Sequence, residues 1–153
     1  MRAVQDNILH FISVLTHTVT ATNSLPAQVH SLIFSHSGEM LLMSTATGKV
    51  LLYEFPGLNP IHSVDAHASG ALCLELDPRG THLAVGGSDA VVGIWDTRGW
   101  TCVRALRGMD APAKSVSFSF DGTYICAGSD EIGSHDIEIV GVLTFYIVLR
   151  AHC

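Results

Sequence analysis

Asp89 and Asp96 lie in "GGSDAVVGIWDTRGW" (Gly86–Trp100), and His67 stands upstream of both. A histidine oriented by an aspartate is the arrangement that draws a proton from a serine or cysteine nucleophile in acyl transfer. That chemistry also needs a marked nucleophile, and no serine or cysteine of the chain sits in a Gly-x-Ser-x-Gly type of strained turn. Metal chemistry fares no better. The chain has nine histidines, among them the neighbours His30 and His36, and His62 and His67. Their spacings match neither H-E-x-x-H nor a His pair joined to Cys-x-x-Cys. The glycine-rich "VGGSD" and "CAGSDEIG" lack the lysine and the strand–loop–helix setting of a phosphate loop. These residues predict no catalytic site, no metal site and no cofactor.

The residues that must position His67 and Asp89 form a repeat. "SHSGEMLLMSTA", "DPRGTHLAVGGS" and "SFDGTYICAGSD" align on Gly38, Gly80 and Gly122, at intervals of 42 residues. Apolar residues recur in phase around that anchor: Leu32 and Phe34, Leu74 and Leu76, Val116 and Phe118 before it, and Leu41, Leu83 and Ile125 after it. Alternation of Val116, Phe118 and Phe120 with Ser115, Ser117 and Ser119 predicts a strand with one buried face. Ser35, Asp77 or Ser119 opens a turn that the anchor glycine closes, with a type I preference. Second strands are expected over Glu39–Ala46, Thr81–Gly87 and Thr123–Gly128. Third strands are expected over Val50–Phe55 and Ala90–Asp96, and fourth strands in "IHSVDA" and "TCVRAL".

Four short strands per 42-residue unit are the signature of a β-propeller blade. The fold expected is all-β, an open arc of about three four-stranded blades. Residues 1–23 hold the last strands of a preceding blade, 24–66 one blade, 67–109 a second with a Trp-Asp signature, 110–140 a partial blade, and 141–153 an atypical apolar tail.

Composition narrows the function. The 153 residues are 48% hydrophobic and 14% charged, a globular balance rather than a disordered one. Eight Lys and Arg face 14 Asp and Glu, for a net charge of −6, and the cations form no run. Nucleic-acid affinity needs clustered cations, so the charge balance argues against direct RNA or DNA binding. No two of Cys73, Cys102, Cys126 and Cys153 are closer than 24 residues, which predicts reduced, mostly core thiols in an intracellular protein. "MRAVQDNILHFISVLTHT" is a poor signal peptide, and "IVGVLTFYIVL" is far shorter than a spanning helix, so no membrane segment is expected.

His67, a gap of 27 residues and then Trp95-Asp96, with Asp89 in the intervening turn, resemble the WD-repeat pattern. The resemblance implies a structural network in which the histidine bridges the turn aspartate toward the tryptophan indole. Val85 stands where that pattern has Ser or Thr, so a three-membered network of His67, Asp89 and Trp95 is expected. "YEFPGLNPIHSVDAH", "DPRGTHLAVGGSDA", "WDTRGWTCVR" and "SVSFSFDGTYICAGSDE" further resemble the THO complex subunit 3 family, over about Gln5 to Val140. That resemblance implies a nuclear, non-enzymatic scaffold. Its partners would be other THO and transcription–export subunits, and its contact with messenger ribonucleoprotein indirect, in messenger-RNA processing and export.

After "DIEIV" the resemblance ends, and "GVLTFYIVLRAHC" follows with no turn, the mark of a truncated or mis-spliced product. Trp95-Asp96-Thr97-Arg98 also resembles the box by which some WD-repeat proteins dock on cullin–RING ubiquitin ligases. Arg98 would then be a partner contact, against its plainer reading as a solvated turn residue.

Overall fold

Alternating apolar residues and glycine-closed turns produce strands alone. The computed structural model describes residues 7–129 and 137–141, and contains no helix among them. The strands are β1 (Ile8–Ile12), β2 (Val19–Ser24), β3 (Val29–Phe34), β4 (Met40–Thr45), β5 (Lys49–Glu54), β6 (Pro60–Asp65) and β7 (Ala71–Leu76). They continue as β8 (His82–Gly87), β9 (Val92–Asp96), β10 (Thr101–Leu106), β11 (Ser115–Phe118), β12 (Tyr124–Gly128) and β13 (Ile137–Gly141). All pair antiparallel with their neighbours in sequence, giving the sheets β1–β2, β3–β6, β7–β10 and β11–β13. The apolar tail lies outside the described residues, except for Gly141 at the end of β13.

The three anchor turns are built alike. Gly38, Gly80 and Gly122 have φ of 74°, 69° and 70°, and their N–H groups donate to the carbonyls of Ser35, Asp77 and Ser119 at 2.8–2.9 Å. The residue that opens each turn also caps the next strand. Ser35 Oγ accepts from the Met40 N–H, Asp77 Oδ1 from those of Thr81 and His82, and Ser119 Oγ from that of Tyr124. The third strand of the β7–β10 sheet begins at Val92, two residues later than expected. Ala90 takes a φ of 60°, and the Gly87 N–H closes on the Val91 carbonyl, so both residues belong to the turn.

The second strand of each sheet is buried on both faces, and its period of two feeds two separate cores. Leu41 and Met43 of β4 pack with Leu9 and Val29, while Leu42 packs with Leu83 and Val85 of the next sheet. Ala84 of β8 points the other way, into a cluster with Ile94, Val116 and Ile125. Every core is therefore a seam between consecutive sheets. The sheets follow one another as blades, each covering the back of the next.

In the β11–β12 turn, the Asp121 carboxyl is held down at about 2, first by the Ser119 hydroxyl donating at 2.6 Å and then by the Thr123 N–H. An unfolded aspartate titrates near ~3.9. A depressed folded value means the group's stabilisation is present above pH ~4 and is lost as pH falls from there towards 2. We expect the Asp121 carboxyl carbon to titrate near 2 by NMR; titration at the ordinary aspartate value would contradict these hydrogen bonds.

The cysteines depart from the expectation of mostly core thiols. Cys73 is buried, Cys126 half-buried and Cys102 exposed. Cys102 lies on β10, the outer strand of its sheet, which has a solvated face. Burial pushes the Cys73 thiol up to about 11 and raises that of Cys126. Since the thiolate is the reactive form, Cys102 should be alkylated by iodoacetamide well before Cys73 in the native state. Peptide mapping that found Cys73 modified first would refute the burial order.

Candidate functional site

His67 follows β6 and enters β7 through a segment wedged between two turns. On one side, the N–H groups of Ala66 and His67 both donate to the Gly48 carbonyl at 3.0 Å, in the β4–β5 turn. On the other, the Ser88 N–H donates to the Gly70 carbonyl at 2.9 Å, and Ser88 Oγ bonds Ser69 Oγ at 2.9 Å. The segment thus joins the turn of one blade to the corresponding turn of the next.

The His67 side chain is only 2% exposed. Its Nδ1 lies 3.0 and 3.1 Å from the two Asp89 carboxylate oxygens, and its Nε2 lies 3.0 Å from the Val85 carbonyl oxygen. Both nitrogens face acceptors, so a neutral ring donates to one of them, and both bonds form together only in the imidazolium. Asp89 Oδ1 also accepts from the Val91 N–H at 3.3 Å. Gly87 leaves the room for this pair: a Cβ there would run into Asp89 Oδ1 and His67 Nδ1.

The expected three-membered network is corrected to a pair. Trp95 packs its ring in the seam with Leu83 and Val85, and its Nε1 is buried without a hydrogen-bond partner among the described residues. The Val85 side chain has no hydroxyl to relay a bond between imidazole and indole, and His67 Nε2 is taken by the Val85 backbone instead. Trp95 Nε1 lies over Gly93, where a Cβ would approach it to 2.8 Å. Arg98 is exposed in the β9–β10 turn and makes no hydrogen bond or ion pair among the described residues. Asp96 is occupied locally: its Oδ2 accepts from the Gly99 N–H at 3.1 Å.

The neighbouring histidines separate in space by role. His30 Nδ1 reaches across a seam to the Ala71 carbonyl at 3.1 Å, and the His62 ring lies 6.5 Å from Trp100, tilted by 40°. No three His, Cys, Asp or Glu side chains among the described residues are grouped to hold a metal ion. Sequence reasoning missed one feature, a cavity of about 230 Å³ at the seam between β3–β6 and β7–β10. His36, Met40, Leu76, Arg79, Thr97 and Trp100 contribute to its walls. Only the repeat phase signalled it, because His36 and Met40 sit beside one anchor turn and Leu76 and Arg79 beside the next.

Comparison with known proteins fits this geometry. The WD domain, G-beta repeat, matches residues 58–96 and 100–132. Each match starts on or beside the outer strand of one sheet and runs into the next, so the sequence repeat is staggered by one strand against the blade. THO complex subunit 3 of Arabidopsis thaliana is 29% identical over 126 residues, covering 82% of this chain and 39% of the relative. WD repeat-containing protein AAC3 of Dictyostelium discoideum is 32% identical over 93 residues, covering 58% and 20%. The chain therefore spans well under half the length of these relatives. Among solved structures, a chain of the mitotic checkpoint complex superposes with a TM-score of 0.79 at 21% identity, over 89% of this chain and 43% of its own. A chain of the Kuenenia stuttgartiensis hydrazine synthase gives 0.79 at 18%, over 94% and 44%. At those identities the likeness is one of fold, and a checkpoint assembly and an enzyme share it, so fold alone assigns no chemistry. Strand order, seam packing and repeat match agree: the chain carries WD40 repeats and folds as an all-β arc of WD-repeat β-propeller blades.

Proposed function

We propose that the chain is a non-enzymatic interaction module of the THO complex subunit 3 type. It would act in the nucleus with other THO and transcription–export subunits in messenger-RNA processing and export. The observation that carries this reading is the 29% identity to that subunit across 82% of the chain. The commitment of both His67 nitrogens to acceptors supports the non-enzymatic part, since such a ring has no free nitrogen for a nucleophile's proton. Contact with messenger ribonucleoprotein would run through those partners, in keeping with the net charge of −6. Co-purification of the tagged full-length gene product from nuclei is expected to recover the other THO subunits; their absence removes the reading.

The exposed, unpaired Arg98 favours one second reading, docking on a cullin–RING ligase through Trp95-Asp96-Thr97-Arg98. Thr97 Oγ1 is taken by the Gly80 carbonyl at 2.8 Å, which leaves Arg98 as the residue of that box able to reach a partner. Ligase capture lost in Arg98→Ala would select this reading over the first.

His67 and Asp89 serve, on the same proposal, as a structural lock between blade turns. His67→Ala should destabilise by about 1–3 kcal/mol, because the Val85 carbonyl and the Asp89 carboxylate lose a buried donor. Asp89→Ala should add little once His67 is gone, since the two share one interaction. An unchanged melting temperature in His67→Ala, or full additivity in the double variant, would refute the lock.

A further inference from the structure

The internal seams obey one rule, and the two ends of the arc each present half of it. Between β3–β6 and β7–β10, His36 and Met40 beside the anchor turn of one blade share a cavity with Leu76 and Thr97 of the next. Two repeat periods of 42 residues carry His36 to Phe120 and Met40 to Tyr124. One period back carries Leu76 to Phe34 and Thr97 to Phe55. Both of these equivalents lack their counterpart. Phe120 is 97% exposed and Tyr124 48%. Phe34 and Phe55, with Phe11, instead line an apolar cavity of about 580 Å³.

The strands show the same complementarity. Leu9 of β1 packs on Leu41 and Met43, as Leu52 of β5 packs on Leu83 and Val85, so β1 and β2 hold the third and fourth positions of a blade. Among the described residues, that blade has no first and second strand. β11 and β12 are a first and a second strand whose forward face is uncovered.

We infer that two copies of this chain join head to tail, β11–β12 of one completing the β1–β2 sheet of the other, with Phe120 filling the Phe11, Phe34 and Phe55 cavity. Placing Leu9 at the position of Ile94 sets the register. Ala84 faces Ile94 and His82 faces Asp96, so Cys126 faces Leu9 and Tyr124 faces Phe11 across the copies. Within one copy β13 occupies that edge of β12, and β1 of the second copy takes its place. Both strands have five residues, so the exchange conserves the ladder, and the apolar contacts supply the gain. The contact is heterologous, and it closes because two copies then provide six four-stranded blades, within the usual range of about 4–8 for a propeller.

The test is sedimentation velocity on the full chain, with Phe120→Ser as the variant. Phe120 packs on nothing in one copy, so the variant should keep the parent's melting temperature at concentrations where both are monomeric. The parent should dimerise reversibly, and Phe120→Ser should weaken the dissociation constant at least tenfold. In a mixture of isotope-labelled and unlabelled copies, a photo-reactive benzoylphenylalanine at position 120 should attach to partner peptides containing Phe11, Phe34 or Phe55. A parent that stays monomeric at 100 µM (on the order of the weakest association expected of a specific interface), a dimer indifferent to Phe120→Ser, or attachment elsewhere would each overturn the inference.

Discussion

Replacing Leu83 with alanine is expected to destabilise the chain by about 2–5 kcal/mol, the cost of a large-to-small change in a well-packed core. Leu83 is 1% exposed on β8, facing Leu42, Leu52 and Leu74 across the seam of the β3–β6 and β7–β10 sheets. Its removal leaves a void between two sheets whose backbones are fixed by their own ladders, so little collapse can repair it. Because the seam is what joins blade to blade, the loss should appear in the urea midpoint of the whole cooperative unit. A shift of less than about 1 kcal/mol would mean the two blades unfold independently of their seam. Protein concentration must be held constant between variants, since association shifts apparent stability.

Gly48→Ala should cost a comparable amount for a different reason. Gly48 has a φ of 82° in the β4–β5 turn, where an L side chain costs about 1–2 kcal/mol. A Cβ there would also run into the carbonyl oxygens of His67 and Ser69, two backbone atoms that cannot rotate away. Overpacking of that kind adds about 1–3 kcal/mol. Gly38→Ala is the control: its φ is 74°, and a Cβ meets nothing within 4 Å. Gly48→Ala should therefore be the more destabilising by about the overpacking term. Equal effects of the two variants would show that the close approach of the turn to His67 carries no weight.

Much of the fold was legible because it rests on local rules that repeat. The 42-residue interval, the turn openers Ser35, Asp77 and Ser119, and the alternation in β4 and β8 placed nearly every strand within two residues. Ala90 and Val91 were assigned to a strand because their apolar side chains match its pattern, and only the backbone shows the turn they make. Cys102 was read as core because a cysteine usually is, whereas its outer strand is solvated.

His67 and Asp89 were identifiable as partners from spacing alone. The exclusion of Trp95 was not, although Val85 carried the clue. A relay through a hydroxyl breaks when the hydroxyl is missing, but where the freed imidazole nitrogen turns depends on which carbonyl lies within reach. What the amino-acid sequence by itself determined was therefore the repeat, the strands, the turns and the charge balance, all properties of neighbours along the chain. What only the tertiary structure decided was the routing of His67 to a backbone oxygen, the Gly48 contact, and the match between the Phe120 face and the Phe34 groove. Those depend on how far apart two blades stand, a distance set by the summed packing of a seam rather than by any one segment.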